Sequence, residues 1–362
     1  MSYVLAAAGF AALIILHELG HFTAAKAVGM RVERFYLFFP PAIAKFRRGE
    51  TEYGVGAIPL GGFVKISGMN PDEELPPEVA HRAYYHQPVW KRIVTIAAGP
   101  AVNLLIAFVL LFGLSFGARQ LNSTVGEIDP GLPAAAHLQT GDRILAVDGK
   151  SFPGASKDER VAHFARLVAD HKCPGKQTDG CRAKTPVQLR IERDGQVRSL
   201  TIRPEYDAAA ARTRIGFSYG SRPLDPGVAE AAGNSARFMW EVTSQTVGVI
   251  ARLFDPQERK QLSGVVGSYE VTRQAIGFGA REALTLIAVI SLSLAVINLF
   301  PFLPLDGGHI FWALVEKIRG RPVPFSVMER AGVIGFMLVM LLFAVGLSND
   351  IGRLTGEGFN VR

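Results

Sequence analysis

Four stretches of this chain stay apolar over roughly the 20 residues a helix needs to cross a bilayer, and this limits the fold more than any other feature. They run from about Val4 to Val28, Ile93 to Ala118, Ala283 to Phe300 and Ala331 to Leu347. Backbone inside hydrocarbon must satisfy its own hydrogen bonds, so each stretch reads as a helix. The expected fold is a polytopic α-helical membrane protein with four transmembrane helices. Hydrophobic residues make up 49% of the 362 and charged residues 20%, a composition too apolar for a disordered chain. The first stretch lacks a basic leading region and is broken by a glutamate and two histidines, which speaks against a cleaved signal peptide.

The formal net charge is +7, but the basic residues are scattered, with no basic run or aromatic-interleaved motif. Nucleic acid is therefore not an expected partner. The excess has a simpler use in orienting loops. Arg31, Arg34, Lys45, Arg47, Arg48, Arg82, Lys91 and Arg92 cluster between the first two spans, and Lys317, Arg319, Arg321 and Arg330 between the last two. By the positive-inside rule both loops are cytoplasmic, and both termini and the long insert from about Gln120 to Ala280 lie outside.

That insert has a pattern of its own. "STVGEIDPGLPAAAHLQTGDRILAVDGKSF" alternates apolar strands with Pro-Gly and Asp-Gly turns, and "DERVAHFARLVADH" reads as a helix. "PVQLRIERDGQVRSLTIRP" reads as a hairpin closed by a type I′ turn at Asp194-Gly195. This order, with "LQTGDRILAVDG", resembles a PDZ domain, a class that adds an extended peptide to a sheet edge. Further on, Phe238, Val242, Val249 and Leu253 recur at near-helical spacing. They mark an amphipathic helix lying either on the outer membrane surface or against the PDZ domain. Cys173 and Cys181 have no metal-site spacing, and outside the cell they are expected to form a disulfide. The chain thus divides into residues 1–118 (two spans and a cytoplasmic loop), 119–206 (PDZ), 207–280 (linker with amphipathic helix) and 281–362 (two spans).

The interruption in the first span is "HELGH", His17 to His21. Histidines four apart share one helical face and can meet one zinc ion, and Glu18, about 100° around, can reach a water on that metal. Ionisable groups at membrane depth are expensive enough to count as functional by default. Zinc needs a further protein ligand, and "NLFPFLPLDGGH" supplies Asp306 on a stretch that its prolines and glycines should unwind. His309 is the competing ligand, although it would have to turn back from the following helix. A carboxylate completes a two-histidine hydrolytic site and leaves a water position open. Gly99-Pro100 in the second span reads as a kink, with Asn103 satisfying the freed backbone.

Together, HELGH, "NLFPFLPLDGGH", "AAGPAVN" and the external insert resemble the site-2 protease family, nearest its bacterial regulator-of-sigma-E protease group. The resemblance implies zinc held by His17, His21 and Asp306, with Glu18 as the base and Asn298 orienting substrate or stabilising the oxyanion. It also implies a cytoplasmic membrane-associated β-hairpin in "TEYGVGAIPLGGFVKISG", whose edge, at Gly61, Gly62 and Phe63, pairs with substrate. Family members often carry a second asparagine one turn before the first, where this chain has Ser293 as a substrate contact. They also carry tandem PDZ domains, whereas this insert has room for one. The implied activity is cleavage within single-pass transmembrane proteins already shortened by another protease, in a bacterial inner membrane. The alternative is a non-catalytic PDZ scaffold that keeps a structural metal site.

Overall fold

The computed structural model describes residues 2–70, 73–208, 212–252 and 264–355. It divides into two compact units, one formed by residues 1–114 with 228–362 and the other by residues 115–227.

In the first unit, α1 (Ser2–Ala27), α2 (Val89–Ser115), α6 (Ala280–Asn298) and α8 (Phe325–Thr355) contain four segments that, among the described residues, are long and apolar enough to cross a membrane: Tyr3–Ala27, Val89–Ser115, Ala280–Asn298 and Phe325–Gly352. Pro100 lies within α2 without ending it. Its missing N–H leaves the Ile96 carbonyl without its usual helical donor. α4 (Val228–Ala251), α5 (Val265–Phe278) and the short α7 (Asp306–Arg319) complete the helices of this unit that are described at length. Met239 and Val242 of α4 pack on Leu104, Ala107, Leu292, Val296 and Phe300. Val242 of the expected apolar face thus meets the α2–α6 cluster, while Phe238 stays exposed. Leu253 lies outside the described residues.

Between α1 and α2 run β1 (Val32–Arg48) and β2 (Thr51–Ile66). The turn joining them uses Gly49 at φ +64°. Their register corrects the simple hairpin expected within 51–68. Arg34 to Leu37 pair with Lys65 to Gly62 on one side and with Glu52 to Val55 on the other, while 42–48 pair with 51–56. The two halves of the expected hairpin thus flank the start of β1, and 62–66 is left on an edge. Ala25, Met30, Val32, Ile66, Tyr84 and Ile96 form the buried cluster where this sheet meets α1 and α2.

The second unit is built on an antiparallel sheet of order β6-β5-β4-β3-β9, from β3 (Arg119–Ile128), β4 (Arg143–Val147), β5 (Val187–Arg193), β6 (Gln196–Ile202) and β9 (Phe217–Pro223). A small pair, β7 (Glu205–Asp207) and β8 (Arg212–Arg214), lies beside it. Val187, Leu189 and Ile191 are buried while Gln188 and Arg190 between them are exposed, the period-2 pattern of a half-buried strand. Asp194 and Gly195 both take positive φ, 52° and 73°, as a type I′ turn requires. α3 (Lys157–Ala169) starts at a capping box of Ser156 and Glu159 and inserts Phe164 among Ile144, Val147, Leu189 and Ile202. Asp142 of the "TGDRI" turn accepts from the Gln139 N–H at 2.8 Å and from Arg193 at 2.7 and 2.6 Å, and Arg193 above all holds its carboxyl below the usual range. Cys173 and Cys181 are disulfide-bonded.

Candidate metal centre

His17 and His21 lie one turn apart on α1, both almost buried at 8% and 7% exposure, with their Nε2 atoms 3.2 Å apart. Asp306, the first residue of α7, brings Oδ2 to 3.3 Å from His17 Nε2 and 3.4 Å from His21 Nε2. One ligand atom from each of the three lies within 4.8 Å of the others. The helix N-terminus favours a carboxylate at this position. His309 instead lines a small cavity with Tyr84, Tyr85, Arg92, Trp312 and Glu316.

Close backbone approach brings these groups together. The chain breaks between α6 and α7, and a Cβ on Gly307 or Gly308 would overlap the backbone of Leu299 to Leu303. Gly335 of α8 leaves the same kind of room for the Leu303 carbonyl. On the other side, Gly99 of α2 sits directly under both imidazoles, where any side chain would strike His21 Nε2. Gly20 of α1 would place a Cβ 2.5 Å from the Ala98 carbonyl oxygen.

α2 also supplies polar partners. His21 Nδ1 is 3.0 Å from the Thr95 carbonyl, and His17 Nδ1 is 3.1 Å from Asn103 Nδ2. Asn103 is fully buried, and its own carbonyl accepts from Ser291 Oγ at 2.9 Å. The expectation that Asn103 serves the backbone freed at Pro100 is thus replaced: its side chain goes to a ring of the HELGH motif. Its spacing from Thr95 and Gly99, four residues at each step, was the available signal.

Gly62 lies against Glu18, so that a Cβ there would collide with the glutamate's Cγ. Gly61 adopts φ +137°, and Phe63 is packed against the rings of Tyr36 and Phe39, at 6.4 and 5.7 Å between centroids. Phe63 is therefore not a free edge side chain. Asn298 closes α6 half-buried, and Ser293 lies within that helix, also half-buried. Neither hydrogen-bonds to the histidine–aspartate group, and the serine that engages α2 is Ser291.

The donor set fits a zinc ion. Two imidazole nitrogens and one carboxylate oxygen face a common point, and Asp306 Oδ2 is buried there without a hydrogen-bond partner of proper geometry. Such a set binds zinc while leaving a coordination position for water. A buried carboxylate oxygen facing two imidazoles at 3.3–3.4 Å is costly to leave unsatisfied, and a shared cation removes that cost.

Known proteins agree with this chemistry. A family model described as Peptidase family M50 matches residues 5–342. Zinc metalloprotease Rip1 of Mycobacterium bovis is 32% identical over 350 residues, covering 84% of this chain and 83% of the relative. Rip1 of Mycolicibacterium smegmatis is 30% identical over 378 residues, covering 90% and 88%. A Nostoc protein with a provisional zinc metalloprotease name is 32% identical over 355 residues, covering 94% and 93%. With this match across nearly its whole length and a centre that joins two histidines of a membrane-length helix to one aspartate, the chain belongs to peptidase family M50, the site-2 protease family, and is a zinc metalloprotease.

Proposed function

We propose that this protein hydrolyses peptide bonds within transmembrane segments of other membrane proteins. The observation that carries the proposal is the convergence of His17, His21 and Asp306 on a helix of membrane-spanning length, with Glu18 beside them. Bound by these three residues, zinc would lower the pKa of a water toward 7 and polarise the scissile carbonyl. Glu18 removes the proton as the water oxygen bonds to the carbonyl carbon, and delivers it to the amine as the C–N bond breaks. Gly62, by having no side chain, leaves Glu18 its place beside the edge stretch 62–66. That edge offers unpaired backbone groups to a substrate strand, so a helical substrate unwinds as it binds. Asn298 serves as an amide donor to the substrate carbonyl, and Ser293 as a backbone contact.

The remaining assignments follow the same reading. The substrates are single-pass membrane proteins already shortened by another protease, such as anti-sigma factors or remnant signal peptides. The basic loops face the cytoplasm of a bacterial inner membrane, and the second unit acts outside as a PDZ domain that screens what approaches. Three protein ligands with one open position argue against a purely structural metal site, which uses four.

The test is Glu18→Gln, purified in detergent and given a model transmembrane substrate. Zinc content should remain at wild-type level while cleavage falls by about 100-fold or more. Cleavage at the wild-type rate refutes the assignment of Glu18 and with it the hydrolytic reading.

A further inference from the structure

We infer that Asn103 is a positioning residue of the metal centre, its carboxamide oxygen accepting the Nδ1 proton of His17 and so holding Nε2 toward the metal. This rests on the reading of His17 as a ligand through Nε2, the atom that faces His21 Nε2 at 3.2 Å and Asp306 Oδ2 at 3.3 Å. An imidazole that gives its Nε2 lone pair to a cation carries its ring proton on Nδ1, and a buried Nδ1–H needs an acceptor.

For His21 the acceptor is plain, the Thr95 carbonyl at 3.0 Å. For His17 the polar group within reach is the Asn103 amide, 3.1 Å away, fully buried, with Oδ1 free of any partner. The nitrogen end now faces the ring, and two N–H donors cannot share that contact. The two ends of a carboxamide have the same shape, so a half-turn of the amide places Oδ1 on Nδ1 at the same separation. The turn moves the unpartnered end from oxygen to nitrogen, so satisfaction of the amide does not decide its orientation. The ring proton does.

The frame supports such a role. Thr95, Gly99 and Asn103 fall at intervals of four on α2 and form a single stripe facing His17 and His21 of α1. The first residue orients one ring, the third orients the other, and the bare glycine lets both rings approach. Ser291 Oγ meets the Asn103 backbone carbonyl at 2.9 Å, a helix–helix contact separate from the carboxamide that faces His17.

The experiment measures the zinc affinity of the full chain in detergent by competition with a chelator, together with zinc stoichiometry, for wild type, Asn103→Leu, Asn103→Asp and Ser291→Ala. Leucine keeps the volume and removes the acceptor, so zinc affinity should fall about 10- to 100-fold, the usual effect of losing such a partner. Aspartate keeps an acceptor, cannot donate, and should restore the affinity. Ser291→Ala disturbs the same helix contact without touching His17 and should match wild type. Unchanged affinity in Asn103→Leu overturns the inference, as does an Asn103→Asp chain as weak as the leucine variant. A loss in Ser291→Ala equal to that in Asn103→Leu overturns it too, since helix packing then explains both. If Asn103→Leu does not fold, Asn103→Ala, which also removes the acceptor, takes its place with the same expected loss and the same refuting outcomes. Wild-type protein that binds no zinc refutes the metal reading itself, and zinc binding with no Asn103 effect refutes only the positioning role.

Discussion

Arg92 and Glu316 offer the sharpest quantitative test of how the centre is held. Arg92, on α2, is 3% exposed, and its guanidinium grips Glu316 of α7 through two contacts of 3.0 and 2.5 Å. The rings of Tyr84 and Tyr85 lie 5.9 and 5.6 Å from its Cζ. The pair ties the helix carrying Thr95, Gly99 and Asn103 to the helix that begins with Asp306. Glu316→Leu strands a buried cation, which costs about 3–5 kcal/mol. Arg92→Met strands a carboxylate that is 21% exposed and can turn to water, so its cost is nearer that of a lost charged hydrogen bond, about 2 kcal/mol. Replacing both with apolar residues of similar volume removes the desolvation problem and should be close to neutral. The double variant should therefore be less destabilised than the sum of the two single losses by about 5 kcal/mol or more. Denaturant titration in detergent, followed by tryptophan fluorescence, measures all three, since Trp312 lines the adjoining cavity. Zinc affinity should drop in Glu316→Leu and recover in the double variant. If Arg92→Met is as damaging as Glu316→Leu, or the two losses simply add, the guanidinium is not a buried charge that depends on its partner, and the clamp argument fails.

Gly62→Ala forces Glu18 or the strand to move, so cleavage should fall roughly 100-fold with zinc content unchanged, the scale expected for an ångström-sized displacement of a catalytic group. Full activity in that variant would show the contact to be soft. Asp306→Ala should lose stoichiometric zinc while His309→Ala keeps it, as metal analysis of the purified chains would show; zinc retained by the Asp306 variant would assign the last ligand elsewhere. Glu50 is held by Arg82, and after it by Lys26, which lowers its carboxyl from 4.5 to about 2. A depressed folded pKa contributes stability that is complete above the unfolded value and disappears as pH falls through the folded one. The stability difference between wild type and Glu50→Gln should therefore be constant above about pH 5 and vanish toward pH 2. A difference that persists unchanged at pH 2 would mean the carboxylate charge is not what stabilises this contact.

Much of this architecture is written in local patterns. Apolar length marked all four spans, because the cost of unpaired backbone in lipid leaves helix as the solution whatever the neighbours. Their ends were less legible: the last helix starts at Phe325, directly after Pro324, and runs to Thr355, well beyond the apolar stretch Ala331–Leu347. Hydropathy records the hydrocarbon, whereas hydrogen bonding carries the helix further. HELGH was visible because its spacing is a property of a single helix. What was not visible depends on pairing between distant segments. Alternation in 51–68 indicates strands, but nothing local says that Arg34 to Leu37 lie between its halves. Ser291 and Ser293 are equivalent to propensity, and only the face that α6 turns toward α2 selects the first.

The glycines around the centre carry the last part of the argument. The chain has 38, and the usual reading of a glycine is a turn that needs positive φ. Gly49 and Gly195 fit that reading. Gly20, Gly62, Gly99, Gly307, Gly308 and Gly335 do not, for none of them takes a positive φ and each would set a Cβ inside a neighbour's van der Waals envelope. Four lie within helices and cost about 1 kcal/mol each relative to alanine, a cost that local structure does nothing to recover. A fifth, Gly308, follows Gly307 in the first turn of α7 and adds to it. The offset has to come from the contacts they permit: both imidazoles resting on α2, the glutamate against the β2 edge, and the aspartate's loop pressed under its own helix. Substituting any of these glycines should therefore damage metal binding or cleavage more than it damages the helix or strand that holds it, the reverse of what a turn glycine would do.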